Sequence, residues 1–397
     1  MKLGRFEVQL AQNGSKNKQP PKLDAQIGTA SNSLDKVVRK YFKDPSTLEP
    51  ADFDRMRRSD GTVMALYNIL TLPILASTWD IERDEDIDPN GEQAAFVRDA
   101  FELPPERGGM STPFQIVLAD MLRAVVEGYR YFEKVYTISP QGKIVYRKLA
   151  SYEASSLTIR TDDHGGFDGA EQTAMIGMGV EKVIIPVEKS FLFTYRKEIN
   201  SLEGESAFVA AYKHYEEKKR LYYLGNLQAQ STAIPARIGK VTEANKNVDQ
   251  SKIDEVAEAL SDLVELNSAV VLPFGFDAEA INSTGKMDIM PLINHHNAEM
   301  ARSVLAHFLM LGDTASGSWA LSKDQTDIFS LALKGLIANL EYHINAYLIP
   351  DLTEYNFANP SYPRIKFSAL TDTAISLVAD AFQKLYRDWE TDRKSVV

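Results

Sequence analysis

The residues best suited to chemistry in this chain sit in one short run, His295-His296-Asn297-Ala298-Glu299. On a helix, His295 and Glu299 are four apart and share a face, the arrangement by which short helical motifs offer two ligands to a divalent ion. A metal-dependent enzyme built on His295, His296 and Glu299 is therefore one reading. It lacks a third strong ligand at matching spacing, and His164, His214 and His343 lie in unrelated contexts. His307, amid Leu305, Phe308 and Leu309, is more simply a core or interface histidine. The expectation is no metal site.

Other chemical motifs fail on spacing or context. Ile176-Gly177-Met178-Gly179-Val180 has neither the third glycine of a dinucleotide fingerprint nor a strong strand before it, so it reads as a turn. Nothing matches the Gly-x4-Gly-Lys-Ser/Thr phosphate loop, and no serine sits in a Gly-x-Ser-x-Gly elbow. Gly312-Asp313-Thr314-Ala315-Ser316-Gly317-Ser318 has the composition of a phosphate cradle, but no strand leads into it. It reads as a flexible loop between two apolar helices. The chain has no cysteine, which removes thiolate nucleophiles, disulfides and cysteine-bound metals. No enzyme and no cofactor are expected. One aromatic-basic stretch remains: Tyr212, Tyr215, Tyr222 and Tyr223 stand among Lys213, Lys218, Lys219 and Arg220. Such a mixture can stack bases. Glu216 and Glu217 dilute it, and tyrosine is common at protein interfaces, so subunit packing is favoured.

The whole chain argues the same way. Its 397 residues suffice for a large core, with ordinary hydrophobic and charged fractions of 44% and 25%. The net charge is -11, from 44 basic and 55 acidic residues, which is not the footprint of a protein that grips nucleic acid. The longest apolar run, 303–311, is far short of the ~20 residues of a membrane span. Met1-Lys2-Leu3-Gly4-Arg5 leads into polar residues without a signal-peptide core, so a soluble, non-secreted chain is expected.

The elements follow from periodicity and breakers. Residues 1–32 are polar and read as a flexible arm, with structure beginning near Ser33. Val63, Leu66, Tyr67 and Leu70 mark a helix that Pro73 should end, with 74–81 resuming as a strand carrying Trp79. Thr112-Pro113 suits a helix start, and Phe114, Val117, Leu118, Met121 and Val125 continue one face as far as Gly128. Short strands are expected at 131–138, 143–149, 156–160, 182–187 and 191–195. The second half is mostly helical: 205–224, 251–266, 294–311 and 323–348. In the last, Ile328, Ala332, Leu336, Leu340 and Ile344 form an i, i+4 row wide enough to need burial against several neighbours or other subunits. The chain finishes Asp392-Arg393-Lys394-Ser395-Val396-Val397, residues that a common short-read sequencing adapter encodes before an in-frame stop. The natural gene is thus expected to be longer, with 387–397 a non-native tail.

The order of segments carries more than any one of them. Asp60-Gly61-x-Val63-x-Ala65-Leu66, Leu72-Pro73-Ile74 and Trp79-x-Ile81 come first, then Gly128-Tyr129 and Glu133-x-Val135. Gly204-Glu205-Ser206 leads through Tyr212 and Lys218 to Ile234-Pro235-x-Arg237-x-Gly239-Lys240, and Val271-Leu272-Pro273 follows. Over about residues 50–385 this series resembles tailed-phage portal proteins, particularly the Mu-like group. The resemblance implies an α+β, portal-like fold: a mixed wing domain (33–203), a first stem helix (204–228), a small α/β clip (229–290) and a second stem helix (291–311). A channel loop (312–322), then a long wing helix and the start of a crown (323–386), complete it. It further implies a non-enzymatic ring, usually a dodecamer, at the capsid vertex of the virion, passing double-stranded DNA without sequence preference. The terminase large subunit, head-completion or connector proteins, and capsid and scaffold proteins are the implied partners, with no membrane. On this reading Thr314, Ser316, Ser318 and Lys323 face DNA, while Arg237 and Lys240 belong to the docking surface of the clip.

Overall fold

The computed structural model describes residues 47–176, 179–198, 201–233, 236–241, 249, 251–256, 276–281, 288–306 and 319–370. The architecture is α+β, as the sequence implies. Helix α1 (Pro50–Ser59) opens with a capping box in which the Glu49 side chain and the Asp52 carboxylate each bond the other's backbone N–H. Asp60 then closes α1 and caps α2 (Gly61–Ala76), its carboxylate accepting from the Thr62 and Val63 amides. Helix α2 is buried at Val63, Leu66, Ile69, Leu70 and Ile74. It does not stop at Pro73 but runs through it to Ala76, leaving only Trp79–Glu82 as strand β1. The expected breaker is overridden because Leu70, Thr71, Pro73 itself and Ile74 are buried, although Leu72 is exposed, and that burial offsets the one helical hydrogen bond a proline removes.

Helix α3 (Glu92–Glu102) has Gly91 at its N-cap, and the buried Asp88 carboxylate accepts from the Glu92, Gln93 and Ala94 amides. Helix α4 (Phe114–Leu122) starts one residue later than Thr112-Pro113 suggests, with Pro113 itself at the N-cap and no side-chain cap. The helical path to Gly128 is divided, α5 (Ala124–Glu127) forming a separate short helix.

Two three-stranded antiparallel sheets follow. Strands β2 (Tyr129–Ile138), β3 (Ile144–Tyr152) and β7 (Ser190–Thr194) lie in the order β3-β2-β7. Strands β4 (Leu157–Thr161), β5 (Phe167–Ile176) and β6 (Gly179–Ile185) lie in the order β4-β5-β6. Strand β5 is missing from the sequence reading because its start, Phe167-Asp168-Gly169, has turn composition. Of the run 176–180 read as a turn, Gly177 and Met178 lie outside the described residues, while Ile176 pairs with Gly179 where β5 and β6 end and begin.

The helical half begins later than its composition suggests. Helix α6 is Tyr212–Ala233, whereas 204–206 have no regular structure and 207–211 are turn. Gly128 and Gly204 touch there: a Cβ on Gly128 would lie 2.4 Å from the Gly204 carbonyl oxygen, and one on Gly204 would meet the Tyr195 carbonyl at 1.8 Å. The Ala207 amide donates to the Val125 carbonyl. Backbone held against the sheet domain in this way cannot also make helical bonds. Strand β8 (Ala236–Val241) pairs antiparallel with β9 (Phe276–Ile281), and residues 251–256 between them are helical. The return strand expected near Val271-Leu272-Pro273 lies outside the described residues; the strand that pairs with β8 comes just after it.

Helix α7 (Met290–Ser303) ends at Val304 and at Leu305, which has φ 60, so the described part of the expected 294–311 helix begins and stops earlier. Helix α8 (Trp319–Tyr347) is followed by α9 (Ile349–Glu354) and by β10 (Arg364–Phe367), which pairs with β1. Of the expected i, i+4 row, Leu336, Leu340 and Ile344 are buried within the single protomer, while Ile328 is exposed at 54% and Ala332 is also exposed. The row is therefore not reserved for other subunits. Among the described residues no helix is long and apolar enough to cross a membrane.

Candidate functional site

Helices α6 and α7 form an antiparallel pair, since His214 near the start of α6 meets His296 in mid α7, while Gly225 meets Ile289 just before α7. The approach is close: a Cβ on Gly225 would lie 2.3 Å from the Ile289 Cδ1 atom. At 22 residues, α6 is about 33 Å long. In chain order the ribbon β8–β9 comes between the two helices.

A buried polar chain ties this pair to the rest of the molecule. Lys218 Nζ donates to Asp60 Oδ2 at 2.8 Å and to Thr62 Oγ1 at 3.1 Å, with both charged side chains only 6–7% exposed. Thr62 Oγ1 donates in turn to Asn297 Oδ1 at 3.1 Å. Helices α2, α6 and α7 are thus joined by one charge and its hydrogen bonds. Tyr215 adds a 2.8 Å bond to Ser59, and Tyr212 packs edge-on against Phe53. The aromatic half of the Tyr/Lys stretch is therefore split, with Tyr212 and Tyr215 turned to the core and Tyr222 and Tyr223 exposed. Lys219 and Arg220 are paired with Glu216 and Glu217 one turn before them.

The histidines behave differently from the sequence reading in one respect. His214 is not in an unrelated context: its Nδ1 lies 3.0 Å from His296 Nδ1, and its ring centroid is 6.4 Å from that of His295. Nothing in the local sequence signals this, because the partners are 82 residues apart. Glu299 is bonded to Arg302 on its own helix. Among the described residues no three His, Asp or Glu side chains are placed to hold a metal ion. In the His214–His296 contact one Nδ1 donates its proton and the other accepts, so the accepting ring carries no proton on that nitrogen.

That contact has a pH consequence. Burial pulls the pKa of both rings below the ordinary histidine value, with Lys213 adding to the effect at His214 and His295 at His296. Glu299 opposes it at both, and Glu217 at His296. A histidine whose pKa is lower folded than unfolded favours the folded state above the unfolded value of about 6.5, and that contribution fades as pH falls through the folded pKa. The melting temperature should drop between about pH 7 and pH 5 more steeply in the wild-type chain than in His214→Gln/His296→Gln. Parallel thermal scans at the two pH values measure it, and identical slopes would remove the histidines from the account.

Of the residues expected to act, Arg237 and Lys240 are on β8, opposite Ala280 and Asp277 of β9. Thr314, Ser316 and Ser318 lie outside the described residues. Lys323 is inside α8, one turn past its start, so the expected loop 312–322 ends no later than 318.

Solved structures share the fold. A chain of the neck of the native gene transfer agent particle, computed with C12 symmetry, matches with a TM-score of 0.51 at 12% identity, covering 88% of this chain and 91% of that one. A chain of the native particle's virion matches at 0.51 and 11%, covering 84% and 89%. An HK97 family phage portal protein from Corynebacterium diphtheriae is also similar, at 0.44 and 14%, with 80% and 94% covered. The fold is thus one found in virion necks. The family described as the portal protein of Mu bacteriophage matches residues 51–396, and the chain belongs to that family. No curated protein sequence matches it.

Proposed function

We propose that this portal-family chain works as one of a ring of identical subunits at a capsid vertex, through which double-stranded DNA is packaged and later ejected. The observation that carries the reading is the family match over 51–396. The division implied by the sequence resemblance is adopted with changed limits. The two sheets and helices α1–α5 form the wing, α6 (Tyr212–Ala233) and α7 (Met290–Ser303) the stem, and β8–β9 the clip. Helix α8, about 43 Å long from its 29 residues, crosses back over the wing. The subunits act as a wall and the ring does no chemistry of its own.

An acidic chain suits a conduit, because a wall that neutralised phosphates along its length would hold the duplex and not pass it. The loop before α8 faces the axis, where Thr314, Ser316 and Ser318 offer small hydroxyls and Lys323 a single charge. Many weak contacts repeated round a ring centre a sliding duplex. The clip receives the terminase large subunit during packaging and head-completion proteins afterwards, while capsid and scaffold proteins surround the wing.

Negative-stain microscopy of the purified chain tests the assembly, with a ring and axial hole expected. A monodisperse monomer at micromolar concentration refutes it. Docking is separable from assembly: Arg237→Glu, on the clip ribbon, should weaken terminase capture at least tenfold in a pull-down while leaving the ring intact on a sizing column. Equal loss of both would show that Arg237 serves assembly.

A further inference from the structure

A groove of about 880 Å³ runs between α8 and β7, with Phe191, Leu336, Tyr342 and Tyr347 among its lining. Its basic rim is Arg196 and Lys197, both exposed, with the Arg196 guanidinium 5.4 Å from the Tyr195 ring centre. The helix beside it offers more apolar surface to solvent, Leu331 at 69% and Tyr342 at 61%. Such a surface calls for a covering partner with an apolar tip and negative charge around it.

Among the described residues, the loop between β1 and α3 is such a projection. Its residues Glu85, Asp86 and Ile87 are exposed, Ile87 at 39%. The loop is held in shape from within. Asp84 Oδ1 accepts from the Asp86 and Ile87 amides, and Asp88 caps α3, so the three exposed side chains are spared that work. Arg83 is the one cation in it, donating to the Pro89 carbonyl and standing 3.7 Å from Glu85.

The same protomer cannot fill its own groove with this loop. Strand β10 lies along α8 at Glu341 and Asn345, which accept 2.8 Å bonds from the Phe367 and Ile365 amides. Strand β1, from which the loop springs, pairs with β10. At 3.6 residues per turn, positions 341 and 345 are about half a turn from 336, 339 and 343, which line the groove. Loop and groove therefore lie on opposite sides of α8. Complementary patches on opposite sides make a heterologous, head-to-tail contact, which repeats into a ring when the rotation closes.

We infer that the groove between α8 and β7 receives the acidic β1–α3 loop of a second copy of this chain, Ile87 entering the apolar floor and Glu85 and Asp86 meeting Arg196 and Lys197. This rests on the ring reading above and assigns one of its subunit contacts. Four samples test it by mass photometry at a concentration where the wild type is a ring. Arg196→Glu/Lys197→Glu and Glu85→Lys/Asp86→Lys should each lower the ratio of ring to smaller species at least tenfold, with unchanged far-UV circular dichroism. The fourfold charge-swapped chain should regain the ring. An equimolar mixture of the two double variants should do so too, because alternating subunits restore every contact. Wild-type rings with unaffected double variants, or no recovery in either the fourfold chain or the mixture, overturn the contact and leave the ring standing. A wild-type chain that stays monomeric overturns both.

Discussion

Lys218→Met should lower unfolding free energy by about 3–5 kcal/mol, the usual cost of removing one member of a buried ion pair. The methionine keeps the stem length, so the loss is one of charge and not of packing. Asp60 would keep its bonds to the Thr62 and Val63 amides, but its negative charge would be left 7% exposed without a cation. Thr62 and Asn297 would lose the charge that orders their shared bond. Because this pair joins α6 to α2, the damage should appear first where the antiparallel pair meets the body. Urea unfolding at one fixed protein concentration measures it, since assembly adds to apparent stability. Adding Asp60→Asn to Lys218→Met should recover part of the loss by removing the orphaned charge. A single-variant cost below about 1 kcal/mol would mean that water reaches Asp60 when Lys218 is gone.

The second large effect is expected at Asp351 in α9. Its Oδ2 accepts from Lys134 at 2.7 Å, Tyr136 at 2.8 Å and Tyr146 at 2.9 Å, so one carboxylate oxygen gathers three donors from β2 and β3. Tyr146 is fully buried and Lys134 is 7% exposed. Burial, and then the Asp351 charge, push both tyrosine hydroxyls well above the ordinary range, so they stay protonated and act as donors. Asp351→Ala leaves the Lys134 ammonium buried without a counter-charge and should cost about 3–5 kcal/mol. Tyr146 is cushioned by its second bond, 2.9 Å to the Leu348 carbonyl. Asp351→Asn, which keeps an acceptor and loses the charge, should fall between the two. Chemical denaturation of the three chains gives the order, and an alanine variant as stable as wild type would show the cluster to be dispensable.

Both clusters explain why the sequence reading of the fold was good locally and incomplete elsewhere. Strands β2, β3, β4, β6 and β7 and helices α2, α4, α6, α7 and α8 announce themselves by the spacing of apolar residues, which depends only on near neighbours. Strand β5 did not, since Phe167-Asp168-Gly169 looks like turn. Pro73 was misread for the opposite reason: a local breaker was outweighed by the burial of Leu70, Thr71 and Ile74 around it. The start of α6 moved to Tyr212 because Gly204 and Ala207 are claimed by Gly128, Tyr195 and Val125, residues far back in the chain.

By itself the sequence determined the α+β order of elements, because that follows from short repeats along one dimension, and it gave the class of the protein through the resemblance of its ordered segments to portal proteins. Only the tertiary structure decided which side chains meet. Lys218 finds Asp60 across 158 residues, His214 finds His296 across 82, and Lys134 finds Asp351 across 217. It also decided that the acidic loop and the basic-rimmed groove stand on opposite sides of α8. Such pairings are invisible to periodicity, since they follow from how whole elements are stacked, and stacking is set by burial summed over many residues at once.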